Sequence, residues 1–228
     1  IALLGSLATG SAMALTTPGA LGGEGADKKA AVALAMNHFG VSEADLKKVL
    51  AAALEKGGDY ADLFFEHTIS NSIRLMDGAV NNSYSNIDYG VGVRVLTGDQ
   101  SGYAYVENIT VEDMLKAART AARIASANKG NKPLNLTEKE LKNYYTVASP
   151  WEEVSLKDKM PYLQKLNDRI FALDKRVHKV QASQSDTTSH IFFCNSEGVM
   201  FYDYRPMVTL GAVCIMEEDG KTENGYAA

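Results

Sequence analysis

Residues 59–78 read DYADLFFEHTISNSIRLMDG, and the order of apolar and polar side chains in this stretch decides the fold. Ala61, Leu63, Phe65, His67 and Ile69 alternate with polar or mixed neighbours. A period of two places them on one side of a pleated strand. Ser72–Met76 reads as a second strand, and Asp77-Gly78 is a strong hairpin signal because both residues accept positive φ. Val91, Val93 and Val95 predict a further strand, Gly98-Asp99 a turn, and Tyr103 and Tyr105 the strand after it. Asp59 to Val106 is thus expected to form an antiparallel meander of about four strands with short turns.

Helical spacing flanks the meander. Asp27 to Phe39 reads as a short helix stopped by Gly40. Ser42 then caps a second helix, with Asp45 in the capping-box position and Leu46, Val49, Leu50 and Leu54 on one face. Downstream, Thr110 and Asp113 open a helix whose stripe of Met114, Ala118, Ala121 and Ala125 is narrow enough to lie close to a sheet. Residues 130–150 are polar and irregular. Ser155 opens a helix to Leu173, which Pro161 is expected to kink or to shift at its start. Strands return at Arg176–Cys194, Val199–Tyr204 and Met207–Met216, and Asp219-Gly220 begins one more hairpin. Segregated runs of helices and strands predict an α+β class: a mixed, mostly antiparallel sheet with helices packed against it.

The chain of 228 residues is 46% hydrophobic and 22% charged, with a formal net charge of -5. Nucleic acid is a poor partner for such a chain, since phosphates demand concentrated basic surface, and no polybasic membrane patch is present. The apolar run Ile1–Leu15 ends in Ala12-Met13-Ala14, a small-x-small site followed by Thr16-Thr17-Pro18-Gly19. It reads as a secretory leader without its charged start, or as an uncleaved helix, and is too short and Gly/Ser-rich to span a membrane. Residues 1–25 are therefore expected to be leader and linker, and 26–228 one folded domain. Cys194 and Cys214 read as two small buried thiols, with a disulfide as the alternative. Both ends look cut.

The residues offer no catalytic set. His38, His67, His178 and His190 have no second histidine at metal-ligand spacing. His67 falls on the apolar parity of its strand and reads as a hydrogen-bonded, half-buried histidine. The glycines at 90, 92, 98 and 102 lie in strand and turn rather than a phosphate loop. No serine sits in a nucleophile elbow, and neither cysteine has a histidine at a useful spacing.

An ordered set of short motifs resembles the N-terminal part of the TldD/PmbA family. It comprises Asp59–Phe65, Leu75-x-Asp77-Gly78, Asn86–Val95, Gly98-x-x-x-Gly102-Tyr103-Ala104-Tyr105, Asp174–Val177, Ser183-x-Ser185, Gly198, Asp203-x-Arg205-Pro206 and Glu217–Gly220. These cover roughly residues 55–225 in the right order and are more similar to TldD than to its non-catalytic relative TldE/PmbA. The resemblance implies a zinc metallopeptidase that trims unfolded peptides and pairs with a TldE/PmbA-like subunit or with itself. It also implies that zinc sits on a His-Glu-x-x-x-His motif in a C-terminal domain absent from this chain. No catalytic or metal residue is carried over.

The expected role here is substrate confinement and assembly, the alternative being a non-catalytic peptide-binding or docking module. Arg94, Tyr103, Tyr105, Asp203 and Arg205 are the candidate substrate or interface contacts. Structural ion pairing is the competing reading for Arg94 and Arg205, and core or interface packing for the two tyrosines. Family habit implies a cytoplasmic location, the leader-like start an exported one.

Overall fold

The computed structural model describes residues 28–125, 133–142, 144 and 150–228. The leader expected at 1–25 and much of the polar stretch at 130–150 lie outside them. The chain runs α1 (Lys28–Phe39), α2 (Glu43–Leu54), β1 (Tyr60–Met76), β2 (Ala79–Thr97), β3 (Gln100–Val106), α3 (Val111–Ile124), β4 (Thr137–Glu138), a 3-10 turn (Trp151–Glu153), α4 (Leu156–Leu173), β5 (Val177–Asn195), β6 (Val199–Glu218) and β7 (Lys221–Ala227). The strands form one seven-stranded sheet in the order β3-β2-β1-β5-β6-β4, with β7 also on β6. Every pairing is antiparallel except β4 on β6. The fold is α+β, as the sequence pattern predicts.

Three helix starts follow their local chemistry. Ser42 Oγ accepts from the Asp45 backbone N–H at 3.2 Å while Asp45 accepts from the Ser42 N–H at 3.0 Å, a complete capping box. Thr110 and Ser155 cap α3 and α4 through their hydroxyls alone, which accept from the Asp113 and Asp158 backbone N–H. Pro161 lies inside α4, which continues past it to Leu173. Asp77 and Gly78 both take positive φ (51° and 81°), the geometry a two-residue hairpin demands. The Asp77 carboxylate also accepts from the Val180 N–H at 2.9 Å, which ties this turn to β5.

Strand length departs from expectation. The two strands predicted in 61–76 are one 17-residue strand, and the meander has three strands rather than four. Likewise Val199–Tyr204 and Met207–Met216 belong to one 20-residue strand that runs straight through Pro206. Between β4 and β7 the outer side of β6 carries no strand among the described residues. Backbone groups alternate sides along a strand. The Lys139 N–H reaches outward to the Met200 carbonyl, so the Pro206 nitrogen also faces outward, where no ladder bond is lost.

Helices cover one face of the sheet at two places. At one end α1, α2 and α3 enclose the main core with Leu63, Phe65, Val91, Val93, Phe192 and Cys194. At the other, α4 sets Leu163 on Ile73, Leu75 and Ala182. Neither buried cluster takes a side chain from the opposite face.

Candidate functional site

Between the two covers, register draws one cross-strand row: Tyr89 on β2, His67 on β1, His190 on β5 and Tyr204 on β6. The adjacent row is Val91, Phe65, Phe192 and Tyr202. Phe39, at the end of α1, rests on it with ring centroids 5.4 Å from Phe65 and 6.4 Å from Phe192. This anchor delivers the neighbouring His38 onto the histidine row.

His38 Nε2 and His67 Nδ1 share a hydrogen bond of 2.8 Å. The His190 ring lies 5.2 Å from that of His38 and 5.9 Å from that of His67. His190 Nδ1 hydrogen-bonds the Tyr202 hydroxyl at 2.7 Å, and its Nε2 faces the Glu152 carboxylate at 3.5 Å. The Tyr204 hydroxyl donates to the same carboxylate at 3.3 Å. Burial, then the nearby His190 and His67 rings, pushes the His38 pKa down from 6.5 to about 4. Burial, then His190, also lowers that of His67. For Glu152 burial acts upward, but hydrogen bonding, with His190 foremost, outweighs it and leaves its carboxyl below the ordinary value. Burial drives the Tyr202 hydroxyl well above its ordinary range and that of Tyr204 to about 12.

This trio was invisible in the sequence, where the three histidines are far apart. The only trace is that His67 and His190 share the apolar parity of their strands. His67 is half-buried and hydrogen-bonded, as read. The cluster does not make a metal site: among the described residues no group of three or more His, Cys, Asp or Glu side chains is placed to hold an ion. The facing nitrogens of His38 and His67 are spent on each other, and both nitrogens of His190 are turned to Tyr202 and Glu152.

Beneath α4 the same face holds a buried ion pair, Lys159 Nζ to Asp186 Oδ2 at 2.8 Å, with side chains 6% and 3% exposed. Asn71 donates to the other oxygen of Asp186 at 3.1 Å, and the ammonium lies 5.8 Å from the Trp151 ring centroid.

All five candidate contacts project from the opposite face, which neither buried cluster reaches, in two separate groups. Arg94 and Tyr103 are cross-strand partners, and Tyr105 lies opposite Gly92. Arg94 forks onto Asp62 Oδ2 through Nε and Nη2 at 2.9 and 2.6 Å. Tyr103 and Tyr105 are 58% and 65% exposed, so neither is core. A Cβ on Gly92 would lie 2.6 Å from the Tyr103 hydroxyl, so the ring lies over that glycine. Asp203 and Arg205 pair with each other at 2.6 Å on β6, across β1 and β5 from the first group. An aromatic row spans this face: Tyr105, Gly92, Phe64, Phe193 and Phe201 in register. The Phe193 and Phe201 rings stack at 4.9 Å.

Among the described residues the outer side of β2 carries no strand from Ala79 to Gly90, because β3 pairs only with Val91–Thr97. Over those twelve positions the sequence AVNNSYSNIDYG carries one charge and no proline.

Comparison with known proteins places these features. The family model described as PmbA/TldA metallopeptidase domain 1 matches residues 61–125, and that of the PmbA/TldA metallopeptidase central domain matches 149–228. The two matched segments contribute to one shared sheet here. The "Metalloprotease TldD homolog" of Haemophilus influenzae is 32% identical over 169 residues, covering 73% of this chain and 35% of that protein. Its namesake in Buchnera aphidicola subsp. Acyrthosiphon pisum is 27% identical over 190 residues, covering 83% of this chain and 39% of that protein. The chain therefore spans little more than a third of the length of these relatives.

Among solved structures, a Thermotoga maritima protein described as a modulator of DNA gyrase superposes with a TM-score of 0.63 at 20% identity, over 81% of this chain and 42% of that one. TldE from Thermococcus kodakarensis superposes with a TM-score of 0.52 at 16% identity, over 80% and 42% of the respective chains. At such identities these two report the fold alone. The ordered pair of domain matches and the TldD homologues together establish that the chain belongs to the TldD/PmbA family.

Proposed function

We propose that this chain is the substrate-confining and assembly half of a TldD-like zinc metallopeptidase acting on unfolded peptides. The observation that carries the reading is the match of two successive metallopeptidase domains, in order, along one sheet. The geometry is compatible with confinement. An open strand edge offers backbone N–H and C=O groups at a regular spacing, and an extended peptide can pair with them whatever its side chains. The exposed Tyr103 and Tyr105, with the partly exposed aromatic row on the same face, supply broad, sequence-tolerant contact area beside it. No group among the described residues suits zinc, so this reading puts the metal and the hydrolytic step on a segment outside the chain. The paired subunit would be TldE/PmbA-like or a second copy.

The second reading is a non-catalytic peptide-binding or docking module of the TldE/PmbA kind, which the lack of a ligand set among the described residues also suits. The gene 3′ of the Ala228 codon separates the two. If it encodes a His-Glu-x-x-x-His motif, the whole product should cleave an unfolded peptide, lose activity to a chelator and regain it with zinc. A stop codon there, or a continuing frame without the motif, would sink the enzymatic reading in favour of the module.

A further inference from the structure

We propose that the His38–His67–His190 cluster is an acid-sensitive clasp that holds α1 on the sheet at neutral pH and releases it as the cluster takes up protons. Helix α1 rests on the sheet through Val32, Ala35 and Phe39, all of which belong to the main core. Its one described side-chain hydrogen bond to the sheet is His38 to His67.

That bond needs a donor on one facing nitrogen and a lone pair on the other. A neutral pair satisfies this, and so does a pair holding one extra proton. Two extra protons put N–H against N–H, and the bond becomes a repulsive contact between two cations.

The surroundings decide where protons go. From the 3-10 turn, Glu152 faces His190 at 3.5 Å and can balance one charge there. From β6, Tyr202 and Tyr204 approach the same ring, and both stay neutral through the acid range. From β2, Tyr89 meets His67 edge-on at 5.3 Å and brings no charge. Glu152 also acts on His67 through space and favours its charged form, but less than burial and then His190 oppose it. The three rings lie 4.9 to 5.9 Å apart, so charge on any one opposes charge on the others. Charging His38 or His67 loads the pair that joins α1 to β1. Release would lift Phe39 from Phe65 and Phe192, leaving an apolar floor open at one end of the sheet. Histidine clusters across an interface are suited to such switching because their charge changes between about pH 5 and 8.

Hydrogen–deuterium exchange of the full chain, corrected for intrinsic rates, tests this between about pH 7.5 and 4.5. The expected result is that amides of residues 31–39 lose protection at least about tenfold while those of α3 keep theirs, a local opening rather than unfolding. His38→Gln keeps a donor for His67 but cannot take the charge, and should move the release to lower pH. His67→Gln serves the same purpose if the first variant folds poorly. The clasp is overturned if α1 and α3 lose protection together, if α1 stays protected throughout, or if the glutamine variant follows the wild-type pH course.

Discussion

Lys159 and Asp186 show how much depends on a single pair of atoms. Lys159→Met would leave a carboxylate buried with Asn71 as its one remaining described donor, and should cost about 3–5 kcal/mol. Adding Asp186→Leu removes the stranded charge and should recover most of that loss, as urea unfolding of the single and double variants will show. Arg94→Ala strands Asp62 in the same way, but the Arg94 side chain is 48% exposed and water can reach the gap. About 1–3 kcal/mol is expected there, toward the lower end. Acid stability follows from His38. Its pKa falls from 6.5 in the open chain to about 4 in the fold, so between those values the unfolded state binds more protons. Its contribution is whole above pH 6.5 and drains away as the pH falls toward 4. The urea midpoint should drop between about pH 7.5 and 5, and an unchanged midpoint would show that the ring is not held neutral. An ion pair was readable for Arg94, but the partner of none of these groups was legible beforehand. Parity placed His67 among apolar residues, but which side chains it meets depends on register with β5 and on where α1 docks.

The helices and turns were legible because their signals are local. Ser42 with Asp45, Thr110 with Asp113, and Asp77-Gly78 each declare themselves within four residues, and each behaves as expected. Strand length was not. Ser70-Asn71-Ser72 weakens the apolar alternation and reads as a break, yet β1 continues because β2 and β5 pair with it on both sides. Pro206 reads as a terminator, yet its nitrogen faces outward and β6 passes it. Two substitutions probe how helices sit on these strands. A Cβ at Gly102 would run into the Ala121 carbonyl oxygen, so Gly102→Ala should push α3 off β3 and cost about 1–3 kcal/mol, read from the thermal midpoint. Leu163→Ala removes the anchor of the small cluster under α4, with about 2–5 kcal/mol expected. Because α4 has its own cluster, exchange protection should fall there first and later in α2.

Four strands of 17 to 20 residues make a sheet far longer than either helical cover, since 20 residues at ~3.3 Å each reach about 65 Å. The α+β class and its mostly antiparallel sheet were readable from segregated helices and strands, but the strand order was not, because nothing in the sequence announces that β1 and β5 are neighbours. Among the described residues that length leaves two stretches of margin without a strand partner. An edge strand with few charges is a template for another strand, and β2 from Ala79 to Gly90 has only Asp88 to discourage one. Ile87→Lys should therefore lower any self-association of the chain measured by sedimentation, and an unchanged profile would exonerate this edge. The other margin is guarded: Asp203 and Arg205 stand on it, and Pro206 removes an outward N–H midway along the gap between β4 and β7. Two copies joined through β2 would satisfy each other under twofold symmetry, and Pro206 would keep the gap between β4 and β7 from taking a further strand in the same way.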